Sequence, residues 1–310
     1  MTEAESGFRP SLCVDRGGCA AMRLPPDETI AHAARTGTGE TLEGFGGLSA
    51  DTIDSATLMV SELATNALRH GVPRSPDGTP SPARPVELWI YARHGAHGGH
   101  DRDRSELVVK VFDGSPEWHG AAAAGPDAPA QAAPAPDSPA SAVPAQADPA
   151  HTAPAPDGDD VAGLSGELAE HGRGLLIVDA LSQGRWGHHL TRSRLVDPAV
   201  PGKATWFGLP IPALCPPVHT GAARAAEDLH ALLVQRGIRR LIRRNERGLS
   251  VLSVERDLTV WCEGGSFHWR VPGGGFARVP RSDLTEACEQ IVQLYEILSR
   301  ERAGSLDRTG

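Results

Sequence analysis

The chain has 310 residues and a net charge of −9, an acidic balance that argues against a broadly nucleic-acid-binding surface. No run of about 18 apolar residues exists, so no membrane span is expected, and the acidic start MTEAESGFRP lacks the apolar stretch of a secretory signal. The five cysteines are scattered and show no metal-ligand spacing, which favours a reducing, cytoplasmic location.

The apolar periodicity before residue 113 predicts two helices and three strands. The strands are expected at 19–24, 86–93 and 107–112, and the helices at 26–42 and 49–70. Ser49 suits the N-cap of the second helix, and Gly71 stands at the usual C-terminal glycine position. The loop after the second strand carries His94, His97 and His100, which could chelate a metal, but a solvated loop is the favoured interpretation.

From about 119 to 162 the composition changes to mostly Ala and Pro with scattered Asp. Because few large apolar groups remain to be buried, this segment is predicted to be a disordered or polyproline-like insertion. A helix at GRGLLIVDALSQ and strands at 184–190 and 204–209 are expected after it. This order predicts an α+β, two-layer sandwich over 19–212, with a mixed, mostly antiparallel sheet and helices on one face, preceded by a flexible N-terminus at 1–18.

A Pro-rich linker at 213–221 leads to a smaller α+β domain expected over 222–303. Its predicted elements are a helix at 222–244, strands at 249–254, 258–262 and 266–271, and a final helix that Ser282 can cap. Trp261, Phe267 and Trp269 are expected in the core of its sheet. The basic run RRLIRRNER is expected on the solvated end of the first helix. No pattern in this domain indicates a chemistry.

The stretch SELATNALRHG, from Ser61 to Gly71, places Glu62 and Asn66 four residues apart in an otherwise apolar helical pattern. A carboxylate and an amide on the core side of a helix are costly unless something pairs with them. A hydrated Mg²⁺ ion and a nucleoside triphosphate would pair with both. The alternative is an ordinary amphipathic helix with both residues at its wet margin.

Three later motifs extend this pattern. Asp113 ends a strand before Gly114, where it could accept the exocyclic amine of adenine, although Asp-Gly turns are common. The sequence His171-Gly172-Arg173-Gly174-Leu175 precedes an apolar helix and would expose backbone N–H groups suited to phosphate, or would simply be a flexible helix start. Thr205, in GKATWF, could join Asp113 and water around the adenine, although a threonine in a strand needs no function.

Four segments, taken in chain order, resemble the GHKL (Bergerat-fold) ATP-binding domain: SELATNALRHG, VFDGSPE, HGRGLLIVDALSQGRWG and GKATWFGLP. Within that family the chain is most similar to the anti-sigma regulatory factors and serine/threonine kinases of actinobacteria. The resemblance covers about residues 19–212 and does not reach the C-terminal domain. Two departures stand out. Asp113 is followed by Gly-Ser-Pro rather than the Asp-x-Gly-x-Gly of sensor kinases, so only the Asp anchor matches, and the Ala/Pro insertion falls where the family has its ATP lid.

The resemblance implies ATP and Mg²⁺ as cofactors and a role for each motif. Asn66 would coordinate Mg²⁺ and the phosphates, and Glu62 would be the catalytic general base. The remaining nucleotide-binding residues would be Asp113 and Gly114 at the adenine, Gly172, Arg173, Gly174 and Leu175 at the phosphates, and Thr205 in the adenine pocket.

The expected function is therefore transfer of the ATP γ-phosphoryl group to a Ser or Thr of an anti-sigma-antagonist (STAS-type) protein, with sequestration of a sigma factor as a further role. A non-catalytic switch, in which ATP occupancy alters partner binding, is the alternative. A homodimer is compatible with the resemblance, and no direct nucleic-acid contact is expected.

Overall fold

The computed structural model describes residues 12–45, 47–72, 84–94, 105–118, 173–212 and 221–306. These residues form a mixed α+β protein with two antiparallel sheets and five α-helices. The predicted insertion at 119–162 and residues 213–220 of the predicted linker lie outside the described residues. No helix in the described ranges is long and apolar enough to cross a membrane.

The first sheet has six strands, and every neighbouring pair is antiparallel. Its strands are β1 (Cys13–Val14), β2 (Ala20–Leu24), β3 (Val86–His94), β4 (Ser105–Asp113), β5 (Trp186–Arg192) and β6 (Pro201–Ile211). They lie in the order β1-β2-β3-β4-β6-β5. The associated helices are α1 (Ile30–Glu43), α2 (Ala50–Asn66), which continues as a π-helical turn over Ala67–Gly71, and α3 (Arg173–Ser182).

Helices α1 to α3 pack on one face of this sheet, which we call the front face. Strand alternation turns Leu107, Val109 and Val111 of β4 toward them, where they join one apolar core with residues such as Met59 and Leu63 of α2. The predicted cap of α2 is confirmed, because the Ser49 side chain accepts a hydrogen bond from the Thr52 backbone N–H at 3.2 Å. The core sits between this face and α2.

The second sheet is a five-stranded antiparallel meander framed by two helices. Its elements are α4 (Ala222–Gln235), β7 (Ile242–Asn245), β8 (Ser250–Glu255), β9 (Leu258–Glu263), β10 (Ser266–Arg270), β11 (Phe276–Pro280) and α5 (Leu284–Leu306). The strands lie in the order β11-β10-β9-β8-β7, and the sheet has an apolar core of its own with α4 and α5. The Gly264-Gly265 turn between β9 and β10 has positive φ at both residues, as hairpin turns of this length require.

The predicted helix over 222–244 was wrong in its second half. Helix α4 ends at Gln235 because Gly237 takes a left-handed conformation (φ +75°), and the Ile238 N–H then bonds the Leu233 carbonyl at 3.1 Å. This is the Schellman arrangement that stops a helix at a glycine. The basic run consequently lies in the loop after α4 and on β7, an edge strand, rather than on a helix face. Strand β11 was not predicted.

The prediction of helices on one face only was also incomplete. The back face of the first sheet is covered at β5 by α5, which belongs to the second sheet. Residues 12–18, placed in a flexible N-terminus by the sequence, contribute β1 and an ion pair from Asp15 to Arg194 at 2.5 Å. The second sheet is therefore joined to the first through the back face of the first sheet. The residues that the sequence singled out lie on the front face.

A buried ionic cluster joins the two sheets. Glu289 of α5 is 1% exposed and pairs with Arg236 of the loop after α4, with Arg194 at 2.6 Å and with Lys110 of β4 at 3.6 Å. Burial alone would raise the pKa of Glu289, but these three cations hold it well below its usual range. The guanidinium groups of Arg194 and Arg236 lie over the Trp89 ring, at 5.1 and 4.8 Å from its centroid. Further buried contacts across the same boundary are Tyr91 to Glu286, Arg93 to Glu286, His94 to Asp283 and Arg192 to Glu296.

Candidate functional site

The two polar residues of α2 lie in its C-terminal half, where the helix crosses the front face over β4 and β6. Glu62 and Asn66 are both partly buried, and the residues around them, such as Leu63 and Ala64, are fully buried. One helical turn separates the carboxylate from the amide. The pair therefore lies at the margin of the core, a position that the alternative of an ordinary amphipathic helix also expects.

Gly174 lies against Glu62. A Cβ at position 174 would stand 2.7 Å from Oε2 of Glu62 and 3.5 Å from its Cβ, so a hydrogen at 174 lets the carboxylate approach the first turn of α3. The backbone N–H groups of such a turn have no partner inside the helix and carry the positive end of its dipole. This corner therefore combines a carboxylate with donors suited to an anion.

The other residues of the glycine motif are only partly described. Arg173 is the first residue of α3, but its side chain and the whole of Gly172 lie outside the described residues. Leu175 is half-buried, and its side chain packs against the core of the first sheet. Leu175 thus has a packing role.

Asp113 ends β4 on the front face and is 3% exposed. Its Oδ1 accepts hydrogen bonds from the Lys203 ammonium at 2.8 Å and from the Ser115 backbone N–H at 2.9 Å. No described residue donates a hydrogen bond to Oδ2, so this oxygen keeps its capacity to accept one. Burial raises the pKa of Asp113, and Lys203 opposes that shift.

Gly71 brings the end of α2 to Asp113. A Cβ at 71 would overlap the carboxyl group and lie 2.6 Å from Oδ1. Gly71 stands at the C-terminal end of the helix, where the sequence placed it, but it lies in the π-helical turn and is not among the glycines with positive φ. The missing side chain of Gly71 lets the end of α2 lie close against the Asp113 side chain. Gly114, by contrast, packs against the Arg84 side chain, so it is buried rather than open to a ligand.

Thr205 of β6 stands on the same face as Asp113. The strand register pairs Asp113 with Lys203 and Val111 with Thr205, so Lys203 and Thr205 are two residues apart and share the front face. The register therefore places Thr205 on the same face as Asp113, two residues along β6 from the partner of Asp113. Lys203 was not singled out from the sequence, although its period-two spacing from Thr205 in GKAT was a usable signal.

Two stacked aromatic rings lie at β5, the strand that pairs with β6 at Thr205. The rings of Trp118 and His188 are stacked, 3.9 Å apart between centroids and within 6° of parallel. The register places His188 of β5 opposite Thr205. The sequence gave no reason to single out either ring, because Trp118 follows a Pro-containing turn and the partner lies 70 residues further along the chain.

The described residues give no support to a metal site at His94, His97 and His100. His94 bonds Asp283 through both its backbone N–H, at 2.7 Å, and its ring Nδ1, at 3.0 Å. His97 and His100 lie outside the described residues. Among the residues with described positions, no group of three or more His, Cys, Asp or Glu side chains could hold a metal ion.

No protein-family model, curated protein or solved structure matches the chain.

Proposed function

We propose that the chain is an ATP-binding regulator with a GHKL-type first domain and that it acts as a protein serine/threonine kinase on an anti-sigma-antagonist protein. The observation that carries this proposal is the span of α2. At Glu62 the helix meets the first turn of α3, and at Gly71 it meets Asp113. Nine residues at 1.5 Å each separate these points by about 13 Å, a span that suits a nucleoside triphosphate.

The residues fit the two ends of such a ligand. The free Oδ2 of Asp113 is an acceptor for the adenine amine, and Thr205 stands beside it on the front face. The N-terminal turn of α3 offers backbone donors to the phosphates. The amide oxygen of Asn66 is a hard ligand of the kind Mg²⁺ prefers, and the phosphates and water would complete the coordination.

Phosphoryl transfer requires the protein to position the two reactants and to neutralise the charge on the phosphates. Glu62 accepts the proton of the attacking Ser or Thr hydroxyl as the phosphoryl group leaves ATP. Its contact with Gly174 supports this role, because Gly174 belongs to the turn whose donors would hold the phosphates. Because Glu62 is only partly buried, a substrate hydroxyl can reach it from solvent.

The test begins with binding. Mg²⁺-dependent ATP affinity is measured by calorimetry on the wild type, Asn66→Ala and Asp113→Ala, with His32→Ala on the exposed surface of α1 as the matched control. We expect both site variants to lose affinity and the control to keep it. No Mg²⁺-dependent ATP affinity in the wild type would refute the proposal.

The second step separates a kinase from a switch. Labelled ATP, Mg²⁺ and candidate antagonist proteins are incubated with the wild type and Glu62→Ala. Label on a partner that disappears in Glu62→Ala, while ATP binding persists, supports the kinase. ATP-dependent partner binding without transfer to any candidate would replace the kinase with the non-catalytic switch. Light scattering of the same samples tests the homodimer.

A further inference from the structure

The second sheet has one face that neither α4 nor α5 covers, which we call the open face. A single cross-strand row on this face runs through all five strands. Its members, in order, are Arg244, Val251, Trp261, His268 and Arg278. The next row ends in the neighbouring pair Arg270 and Phe276. The row is thus aromatic at its centre and cationic at both edges.

The aromatic side chains of the open face form a shelf. The Trp261 and His268 rings lie side by side, 5.7 Å apart and within 15° of parallel, and the Phe276 ring meets Trp261 edge-on at 6.2 Å. Phe276 is 51% exposed, which is unusual for so large an apolar group. A shallow depression of about 630 Å³ lies over these three rings. This corrects the expectation that Trp261 belongs to the core, which holds for Phe267 and Trp269.

Charge segregation leaves this part of the chain basic on its outside. Residues 221–306 contain thirteen arginines and eleven carboxylates. Four of the carboxylates are turned into the boundary with the first sheet, and one arginine is buried with them: Asp283, Glu286, Glu289, Glu296 and Arg236. Twelve arginines and seven carboxylates remain elsewhere. The net charge of −9 therefore belongs to the rest of the chain and does not describe this surface.

Several of those arginines surround the shelf. Arg256 and Arg270 line the depression, and Arg244 lies on the edge strand β7, whose four residues are all exposed. Two carboxylates, Asp257 and Glu263, also line it. They would repel a phosphate but accept hydrogen bonds from a base, which favours a ligand that carries both groups over a simple polyanion.

We propose that the open face binds single-stranded nucleic acid. Bases stack on the rings of Phe276 and Trp261, and the phosphate backbone follows Arg244, Arg256 and Arg270. An exposed ring and a partly exposed one on an antiparallel sheet, flanked by arginines, supply the two interactions that single strands need: a π-face for the bases and cations along the backbone. This departs from the expectation drawn from the net charge, and it does not depend on the proposed nucleotide site of the first domain.

The test uses the full chain and fluorescein-labelled 15-nucleotide single strands of mixed sequence, one RNA and one DNA, in fluorescence anisotropy. We expect saturable binding of at least one strand that weakens with salt. Excess Mg²⁺-ATP should not compete. Failure of both strands to bind at protein concentrations up to about 10⁻⁴ M, the weak end of non-specific binding, would overturn the proposal. So would displacement by ATP, or equal binding of a polyglutamate peptide.

Paired variants separate stacking from charge. Phe276→Ala should weaken binding about fivefold or more, whereas Phe276→Tyr, which keeps a ring, should bind like the wild type. Arg270→Ala should lower the salt dependence by about one phosphate contact. Arg224→Ala, which removes the same charge from exposed α4, is the control and should change neither quantity. Equal losses in Phe276→Ala and Phe276→Tyr, or in the two arginine variants, would overturn the proposal.

Discussion

The carboxylate of Glu62 lies directly against the backbone of Gly174. A Cβ at 174 would be 2.7 Å from Oε2, too close for two unbonded atoms, but only the end of a flexible side chain stands in its way. An alanine there would displace the carboxylate and leave the two helices where they are. The position of the proposed general base therefore depends on the absence of a side chain at 174.

A double-mutant cycle tests this dependence without relying on activity. Gly174→Ala should stabilise the Glu62→Ala background by up to about 1 kcal/mol, because alanine is the better helix former and its methyl group has room. In the wild-type background the stabilisation should be smaller than this by about 0.5 kcal/mol or more, because the carboxylate must move. Urea unfolding of the four proteins gives both values. Equal effects in the two backgrounds would show that the contact carries no energy.

Protonation of Asp113 should control nucleotide affinity. Because burial raises the pKa of this carboxyl group, it takes up a proton at a higher pH than an exposed aspartate. The adenine amine needs an acceptor, so ATP affinity should fall as the pH drops through that pKa. Lys203→Met removes the cation at 2.8 Å, raises the pKa further and should move the loss of affinity to higher pH.

The ligand also titrates, so the measurement compares proteins rather than pH values alone. The ratio of wild-type to Asp113→Asn affinity, measured by calorimetry across the acidic range, removes the contribution of the ATP phosphates. We expect the ratio to decline with falling pH. A ratio that stays constant would mean that the Asp113 carboxylate does not contact the base.

Gly71 should tolerate no side chain. A Cβ there would overlap Asp113, which is fixed by the end of β4 and by its bond to Lys203. Gly71→Ala should therefore cost about 1–3 kcal/mol through overpacking and should also weaken ATP binding. Gly39→Ala in α1 is the matched control: nothing lies within 4 Å of its Cβ, so it should stabilise by about 0.5–1 kcal/mol. Urea unfolding of both variants decides, and a stable Gly71→Ala protein would refute the close approach.

Local signals explain how much of the fold the sequence could predict. The strands β2, β3, β4, β8, β9 and β10 were found because apolar alternation and turn residues mark them. The end of α4 was missed, although Gly237 was visible, because the apolar pattern continued through Leu241. The predicted helix therefore extended past Gly237, the residue at which α4 ends in the folded chain.

The candidate site was predictable where its residues are close in sequence, as Glu62 and Asn66 are. Lys203 was missed because its role comes from strand register, which pairs β6 with β4 across more than 80 residues. His188 was missed because it stacks on Trp118, 70 residues earlier in the chain. The same holds for Glu289, an ordinary helix residue by pattern. Only the packing of α5 on the back face shows that it meets three cations.

Glu289 should be among the most costly residues to change. Glu289→Gln keeps the shape of the side chain but leaves Arg236 and Lys110 buried without this counter-charge, and Arg194 keeps only its ion pair with Asp15. Removing one partner of a buried ionic cluster costs about 3–5 kcal/mol, so the free energy of unfolding should fall by that amount. Glu301→Gln, an exposed residue on the same helix, is the control and should change it by less than about 0.5 kcal/mol.

The same cluster sets an acid limit on stability. The pKa of Glu289 is lowered in the folded protein, so its contribution is fully present above the unfolded value of about 4.3 and is lost as the pH falls through the folded value. His189, whose pKa is lowered by burial and then by Lys110, adds a loss that begins below about pH 6.5. Urea unfolding from pH 7 to about pH 2 should show the histidine loss in both proteins between about pH 6.5 and pH 4. Below about pH 4 the wild type should lose stability faster than Glu289→Gln, and parallel curves there would mean that Glu289 is not paired in the folded protein.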